Sequence, residues 1–327
     1  MIEIALLAIA LLVITLTLGV PLPYCFGAAL MVMYFLGDVT MKGMMLWGTQ
    51  QLGNPVLLAI PLFVLAGTVM SESGIAASLL RFVNAFIGHV RGGLGVVAAV
   101  SCAVIGAISG SGLTGIAAIG PLLIPEMEKR GYPREYATAL IANSSILGLL
   151  IPPSVTMIVY GWVTDTSILA CFLATLGPGL LIMTAFSVIN MVMARKFNLI
   201  LDDKPSFSEL SSEVAKRGFH AFPALLMPVI ILGGIYGGIM TPTEAAAVAV
   251  IYAVPVGFLI YKGLNWRNFL SAGKEAATAV GAIMMMILFS MILSQMFVYE
   301  SIPQQLVQGI FSITENKIVL LILINIM

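Results

Sequence analysis

Two clusters of small polar residues lie in stretches too apolar to need them for solubility. Ser109-Gly110-Ser111-Gly112 interrupts the uncharged stretch from Gly93 to Pro125. Asn143-Ser144-Ser145 is followed by Ile151-Pro152-Pro153-Ser154 and Thr156 in a second apolar segment. Hydroxyl oxygens and freed backbone carbonyls are ligands for a hard cation. Helix ends flanking such breaks add oriented dipoles, as in the interrupted helices of ion-coupled carriers. Each cluster also has a plainer explanation. Gly106 and Gly110, four residues apart, fit a small-residue helix-packing motif. The Pro-Pro break fits a kinked helix whose Ser and Thr residues bond back to their own backbone.

The elements around the first cluster decide what it can be. Gly93 to Ile108 and Leu113 to Pro125 are about 16 and 13 residues long, short of the ~20 that cross a bilayer as a helix. Two short limbs meeting at a Gly/Ser break read as a re-entrant hairpin. Irregular backbone at membrane depth is tolerated only where protein buries it or a watery cavity meets it. The second cluster breaks the helical pattern of Tyr136 to Gly148, which resumes to Gly161; two successive prolines cannot continue an ordinary helix.

Composition sets the solvent. Of 327 residues, 60% are hydrophobic and 9% charged, against about 25% charged in soluble domains. An all-α polytopic membrane protein follows. The N-terminus has no basic n-region and no A-x-A cleavage site, so Ile4 to Leu18 reads as a retained first span. Tyr24 to Leu36 is a short second one, Asp38 to Gln51 a polar connection, and Asn54 to Met70 an apolar helix kinked at Pro61. Ser73 to His89 is amphipathic. A polar loop, Glu126 to Glu135, follows the hairpin. After the broken segment come a full span from Ile168 to Ala194 and a long polar stretch from Arg195 to His220. Spans from Phe222 to Ile239, Thr243 to Tyr261 and Lys274 to Tyr299 follow, then an interfacial run from Pro303 to Ile313. The apolar run opening at Lys317 reads as a segment cut short.

Charge placement supports the hairpin independently. With the N-terminus outside and both limbs opening inward, all but Lys42 and Lys317 of the 15 Lys and Arg residues fall on the inside. A plain span at Gly93 to Pro125 would mix the two sides. An inverted repeat is also suggested: Gly19-Val-Pro-Leu-Pro23 is echoed by Gly238-Ile-Met-Thr-Pro242, and a second hairpin entering from outside is expected near Lys317.

Several function classes are excluded. No basic stretch points to nucleic acid. No Asp, Glu, Lys or Arg lies at the centre of a predicted span, where proton pumps and voltage sensors usually need one. There is no Walker A loop and no HExxH. A serine nucleophile at Ser109 or Ser111 would need a His at the same depth, and His89 and His220 sit at segment ends. Cys25, Cys102 and Cys171 read as buried structural thiols, and Glu244 as the partner of a Thr241 helix cap.

With those residues in view, the chain resembles the large membrane subunit of TRAP transporters (tripartite ATP-independent periplasmic transporters), within the ion transporter superfamily. The matching runs are Leu58-Ala-Ile-Pro-Leu-Phe-Val-Leu-Ala-Gly67, Gly106-Ala-Ile-Ser-Gly-Ser111, Ala117-Ala-Ile-Gly120, Ile151-Pro-Pro-Ser154 with Tyr160-Gly161, and Gly234 through Ala247. The resemblance implies an inverted-repeat, elevator-type importer in a bacterial or archaeal cytoplasmic (inner) membrane. It would couple sodium to uptake of organic acids such as C4-dicarboxylates or sialic acid. Its partners would be a small four-helix membrane subunit and a periplasmic substrate-binding protein.

Carried onto matching positions, the resemblance implies ion-binding roles for Ser109, Gly110, Ser111, Pro152, Pro153 and Thr156, with sodium at Ser109 and Ser111. Ser111, Asn143, Ser154 and Thr156 are assigned to substrate. Gly112-Leu-Thr-Gly115 and Asn143-Ser144-Ser145 depart from the family's commoner forms. The implied segments are 1–70, first scaffold helices; 71–92, an arm helix; 93–125, the hairpin; and 126–194, the broken helix with its following span. Then come 195–221, an amphipathic linker; 222–273, second-repeat scaffold; and 274–327, the start of the second transport region. The rival readings are a carrier of the same superfamily that needs no binding protein, an intramembrane enzyme and a passive channel.

Overall fold

The structure is a computed structural model that describes residues 2–37, 41–200, 207–313 and 319. All described secondary structure is helical. In chain order the helices are α1 (Ile2–Thr17), α2 (Leu22–Leu36), α3 (Met41–Leu52), α4 (Ala59–Glu72), α5 (Ile75–Ile87), α6 (Gly93–Ser109) and α7 (Gly112–Lys129). They continue as α8 (Arg134–Ser144), α9 (Leu147–Leu150), α10 (Val155–Val163), α11 (Ile168–Met193), α12 (Phe207–Tyr236), α13 (Pro242–Pro255), α14 (Trp266–Tyr299) and α15 (Ile302–Ile313). Among the described residues, five stretches are long and apolar enough to cross a bilayer: Pro55–Glu72, Ile168–Lys196, Val214–Tyr236, Pro242–Ile260 and Trp266–Tyr299. The pair Arg134–Leu150 and Val155–Val163, bent by 41°, would add a sixth as one broken span.

By packing, the chain divides into two compact units, 1–54 with 281–327, and 55–280. In the first, Ala5, Ala8, Ala29, Leu30 and Met33 form a buried cluster with Ile292, Leu293, Met296 and Ile302. Here the expected polar connection over Asp38 to Gln51 is corrected: α3 is a helix, and Met41 and Met44 pack on that cluster. Met, Leu and Gln favour helix. Gly48 lets α3 close on α14, since a β-carbon there would lie 2.7 Å from Ile292. The expected second hairpin near Lys317 lies outside the described residues.

The second unit is built around α6, which packs against α4, α5, α7, α8, α9 and α11. Val97, Ala98, Ala99, Cys102 and Ala103 are all buried. A helix apolar on every side must be covered on every side, and small side chains let its neighbours approach closely. The next helix, α7, folds back along it, with Gly115 facing the Cys102 carbonyl. The limbs have 17 and 18 residues, or about 26 Å each against an apolar bilayer thickness of ~30 Å. The second limb is longer than the sequence suggested. Pro121 and Pro125 sit inside it, and the polar run from Glu126 to Lys129 is its last turn. Each proline forfeits one helical hydrogen bond without ending the helix, because α6 and α8 pack against α7 and hold it in line.

Two further boundaries move. The later part of the amphipathic linker expected over 195–221 and the span from Phe222 are one 30-residue helix, α12, running through Pro223 and Pro228. Helix α14 begins at Trp266 instead of Lys274; the Asn265 side chain accepts the Asn268 N–H at 2.9 Å and starts it earlier. All three cysteines are buried and unpaired. Helix α5 is amphipathic as expected, with Ile75, Ala76, Ser78 and Leu79 buried and Arg81 and Phe86 exposed.

Candidate functional site

The first break is a two-residue turn. Gly110 ends α6 in the left-handed region, φ 64°, and Ser111 is extended at φ −136°, ψ 129° before α7 begins. Left-handed backbone strains any residue with a β-carbon. The Ser109 hydroxyl holds the turn: it lies 3.4 Å from the Gly106 carbonyl and 3.2 Å from the Ser111 carbonyl, and it accepts the Ser111 N–H at 3.3 Å. Ser109 is 1% exposed. Gly67 of α4 is the wall behind it, because a β-carbon there would overlap Ser109 itself.

The second break has the same form at its exit. After α9, Ile151 to Ser154 leave the helix, with a cis bond between Pro152 and Pro153, and Ser154 is extended at φ −123°, ψ 128° before α10. The Ser154 and Thr156 hydroxyls share a 2.8 Å hydrogen bond. Ser154 is fully buried and Thr156 is exposed.

The two breaks meet backbone to backbone. Val155 N–H donates to the Gly110 carbonyl at 3.4 Å. A β-carbon on Gly110 would lie 3.0 Å from Val155 Cγ2 and 3.4 Å from the Pro153 carbonyl oxygen; one on Gly112 would lie 2.8 Å from the Ser145 carbonyl oxygen. Gly106 and Gly148 touch so closely that a side chain on either would overlap the other's α-carbon. The plainer explanation of the first cluster thus holds for Gly106, whose neighbour across the contact is Gly148 and not Gly110. Gly106 is a helix-packing contact, while Gly110 to Gly112 form the tip.

Ser111 and Ser154 share one further property. Each is the N-cap residue of the helix leaving its break, and neither side chain caps that helix. The first-turn N–H groups of α7 and α10 are thus left without the side-chain partner a capping serine supplies. By contrast, Ser167 accepts the Ala170 N–H at the start of α11, and Thr241 and Glu244 form the expected capping box at α13.

The convergent set is Ser109, Gly110, Ser111, Pro153, Ser154 and Val155, with Pro152 adjoining and Thr156 hydrogen-bonded to Ser154. Asn143 does not join it through any hydrogen bond. It is exposed on α8, and its amide donates to the Ala139 carbonyl of its own helix at 2.7 Å. Its neighbour Ser144 is fully buried, with no hydrogen-bond partner for its hydroxyl among the described residues. The oxygens gathered here are hydroxyls and carbonyls. Among the described residues, no three His, Cys, Asp or Glu side chains cluster as a metal site would require. Hydroxyl and carbonyl oxygens suit a hard monovalent or divalent cation, and helix N-termini suit a carboxylate.

Sequence reasoning passed over the residues that fix the other end of the hairpin. Asn190 of α11 is fully buried, donates to the Gly92 carbonyl at 2.6 Å and lies 3.3 Å from the Tyr136 hydroxyl. Arg91 donates to the Ala194, Arg195 and Phe197 carbonyls at 3.3, 3.4 and 2.9 Å, closing the C-terminus of α11. Ile200 N–H donates to the Arg130 carbonyl at 3.0 Å. Residues 190–200 thus grip the base of both limbs. Tyr132 is buried in this base, and burial, with Tyr136 beside it, pushes its hydroxyl up to about 12. The available signal was the one amide side chain of a 26-residue helix whose other polar residues are Thr and Ser, where such a side chain serves as interhelical glue.

A family model described as "Tripartite ATP-independent periplasmic transporter, DctM component" matches residues 8–327. The chain is similar to the ectoine TRAP transporter large permease protein TeaC of Halomonas elongata, 38% identical over 78% of this chain and 58% of that protein. It is 36% identical to the C4-dicarboxylate TRAP transporter large permease protein DctM of Pseudomonas aeruginosa, over 83% of this chain and 62% of that protein. It is 35% identical to the sialic acid TRAP transporter large permease protein SiaM of Vibrio cholerae, over 94% of this chain and 71% of that protein. The chain therefore spans about three fifths of the length of the first two of these relatives.

Proposed function

Because the chain belongs to the DctM family of tripartite ATP-independent periplasmic transporters, as a large permease component, we propose that it is the membrane subunit of a sodium-coupled importer of organic acids. The observation that carries this reading is the meeting of two helix breaks, each leaving through an extended serine that does not cap its helix. Sodium would take hydroxyl and carbonyl oxygens from Ser109, Gly110 and Ser111, and from Pro152, Pro153 and Thr156. The substrate carboxylate would meet Ser111, Ser154 and Thr156 and the uncapped N-termini of α7 and α10. Asn143, with Ser144 beside it, would reach the substrate from the α8 side.

The substrate class is carboxylates such as C4-dicarboxylates or sialic acid, delivered by a periplasmic binding protein. The hairpin α6–α7 would be re-entrant and, with α8 to α11, would form the moving part of an elevator in the inner membrane. A small four-helix subunit would complete the scaffold. The protein is a carrier and not an enzyme on this reading, and the energy comes from the ion gradient.

Uptake by proteoliposomes holding the intact complex tests the coupling. With binding protein and substrate outside, uptake is expected to follow an inward sodium gradient and to collapse when potassium replaces sodium. Undiminished uptake in potassium alone would sink the proposal. Omitting the binding protein tests the tripartite part: full uptake without it would leave only a simpler carrier.

A further inference from the structure

Away from the tips, α5 and α7 line an open cavity of about 300 Å³, bounded by Ala77, Leu80, Arg81, Asn84, Leu122, Leu123 and Glu126. We infer that it holds the headgroup and glycerol of one zwitterionic, amine-bearing phospholipid, of the phosphatidylethanolamine class. The volume is at the lower end of ligand sites, ~300–1,000 Å³, which suits a headgroup with its glycerol and leaves the acyl chains outside.

The cavity is polarised along its length. The C-terminal ends of α5 and α7 reach the same level, because Gly88 and Val90 line a second, smaller cavity together with Arg130 and Tyr132. Asn84 and Glu126 therefore lie toward that end, and Ala77 and Leu122 lie deeper, toward the hairpin tip. That end is also the charged one: Arg81 lies on α5 and Arg91 just after it, and Glu126, Glu128, Lys129 and Arg130 close α7. A membrane–water boundary runs where such a girdle begins. The cavity thus has a polar mouth at the boundary and an apolar floor below it, the polarity of a lipid.

The charges on the mouth select the headgroup. Among the described residues Arg81 forms no salt bridge, and its side chain is exposed. Arginine pairs with phosphate by paired N–H donors. Glu126 gives one carboxylate oxygen, Oε1, to Arg130 at 3.3 Å, and Arg130 lines the other cavity. Glu126 also lines this cavity, and its carboxylate carries a second oxygen, Oε2. A phosphate on Arg81 and a primary ammonium on Glu126 match both charges, and the ammonium supplies the hydrogen-bond donors a carboxylate accepts. An anionic headgroup would use Arg81 and be repelled by Glu126, and a trimethylated amine brings no donor. Leu122, 47% exposed, opens the cavity sideways to the bilayer, where the acyl chains continue.

Native mass spectrometry of the full-length permease, released from detergent after mixing with phosphatidylethanolamine, phosphatidylcholine or phosphatidylglycerol, tests this. Phosphatidylethanolamine is expected to stay bound, at tenfold or greater occupancy, under activation that strips the other two. Arg81→Ala should lower its retention at least fivefold, and Glu126→Gln should erase the preference over phosphatidylcholine. Leu122→Trp fills the cavity from its exposed wall without touching a charge and should abolish retention; it decides the matter if a charge variant does not fold. Equal retention of all three lipids, preference for phosphatidylglycerol, or retention unchanged in Leu122→Trp would each overturn the assignment.

Discussion

Helices α11 and α13 begin on a hydroxyl side chain that satisfies them, and helices α7 and α10 begin on one that does not. Ser167 and Thr241 accept N–H groups of the first turn. Ser111 and Ser154 stand in the same cap position with extended backbone and make no such bond. The residue types are those a helix start prefers in all four cases, so type alone does not separate them. What differs is the setting. Thr241 follows a turn whose Gly238 and Ile239 are exposed, whereas Ser111 and Ser154 each adjoin the backbone contact between Gly110 and Val155. At α7 and α10 the first-turn N–H groups therefore lack the side-chain partner that Ser167 and Thr241 supply at α11 and α13.

The contact that brings the tips together carries the largest expected effect. Gly106→Ala would drive a methyl group onto the Gly148 α-carbon, which is backbone and cannot swing aside. Overpacking of this kind costs about 3 kcal/mol, and transport is expected to be lost with it. Gly177→Ala is the matched control, since nothing lies within 4 Å of a β-carbon there; replacing a mid-helix glycine by alanine should stabilise by about 0.5–1 kcal/mol. Thermal unfolding in detergent followed by tryptophan fluorescence, paired with uptake, checks both. Equal melting of Gly106→Ala and the parent would mean that the tips do not meet as described.

A smaller loss is expected at the base of the hairpin. Asn190→Leu removes the donor to the Gly92 carbonyl and leaves buried polar groups unpaired, a cost of about 2 kcal/mol. Because the change lies at the opposite end of α6 from the tip, melting should fall while the sodium dependence of the residual uptake stays that of the parent. A shift in sodium dependence as large as that from a tip variant would erase the distinction between base and tip. Below it comes Thr241→Ala, which breaks the capping box and should cost about 1 kcal/mol of stability, again with sodium dependence unchanged.

The parts of this arrangement that could be read in the sequence are those set by local chemistry. The break after Ser109, the Pro-Pro exit before Ser154 and the Thr241 cap are each a few residues whose backbone options are narrow. The structure places all three within the stretches expected for them. Boundaries set by packing were harder to read. Pro125 looked like an end and is inside α7, because neighbouring helices hold the chain in line past a missing hydrogen bond. Residues 41–52 looked like a connection and are a helix, because their apolar face is covered by residues some 240 positions away. Least legible was the base. Arg91 and Asn190 act on carbonyls about 100 residues distant, and one Asn in an apolar span announces a partner without naming it.

The smallest expected change in stability bears most directly on function. Ser111→Ala and Ser154→Ala remove hydroxyls that do not cap their helices, so melting should stay within about 0.5 kcal/mol of the parent for Ser111→Ala and fall by no more than about 1 kcal/mol, one hydrogen bond, for Ser154→Ala. The Ser154 change frees the Thr156 hydroxyl from its 2.8 Å partner, but Thr156 is exposed and can take water instead. If these serines complete a ligand site, the sodium concentration for half-maximal uptake should rise several-fold in Ser111→Ala, and the substrate concentration in Ser154→Ala. Thr241→Ala would give the mirror image, with melting lowered and both titrations intact. If Ser111→Ala instead melts like Thr241→Ala and titrates like the parent, its hydroxyl is a cap in solution and the contrast between the two kinds of helix start disappears. Because the two groups are expected to move opposite observables, a general weakening of the protein cannot imitate the result.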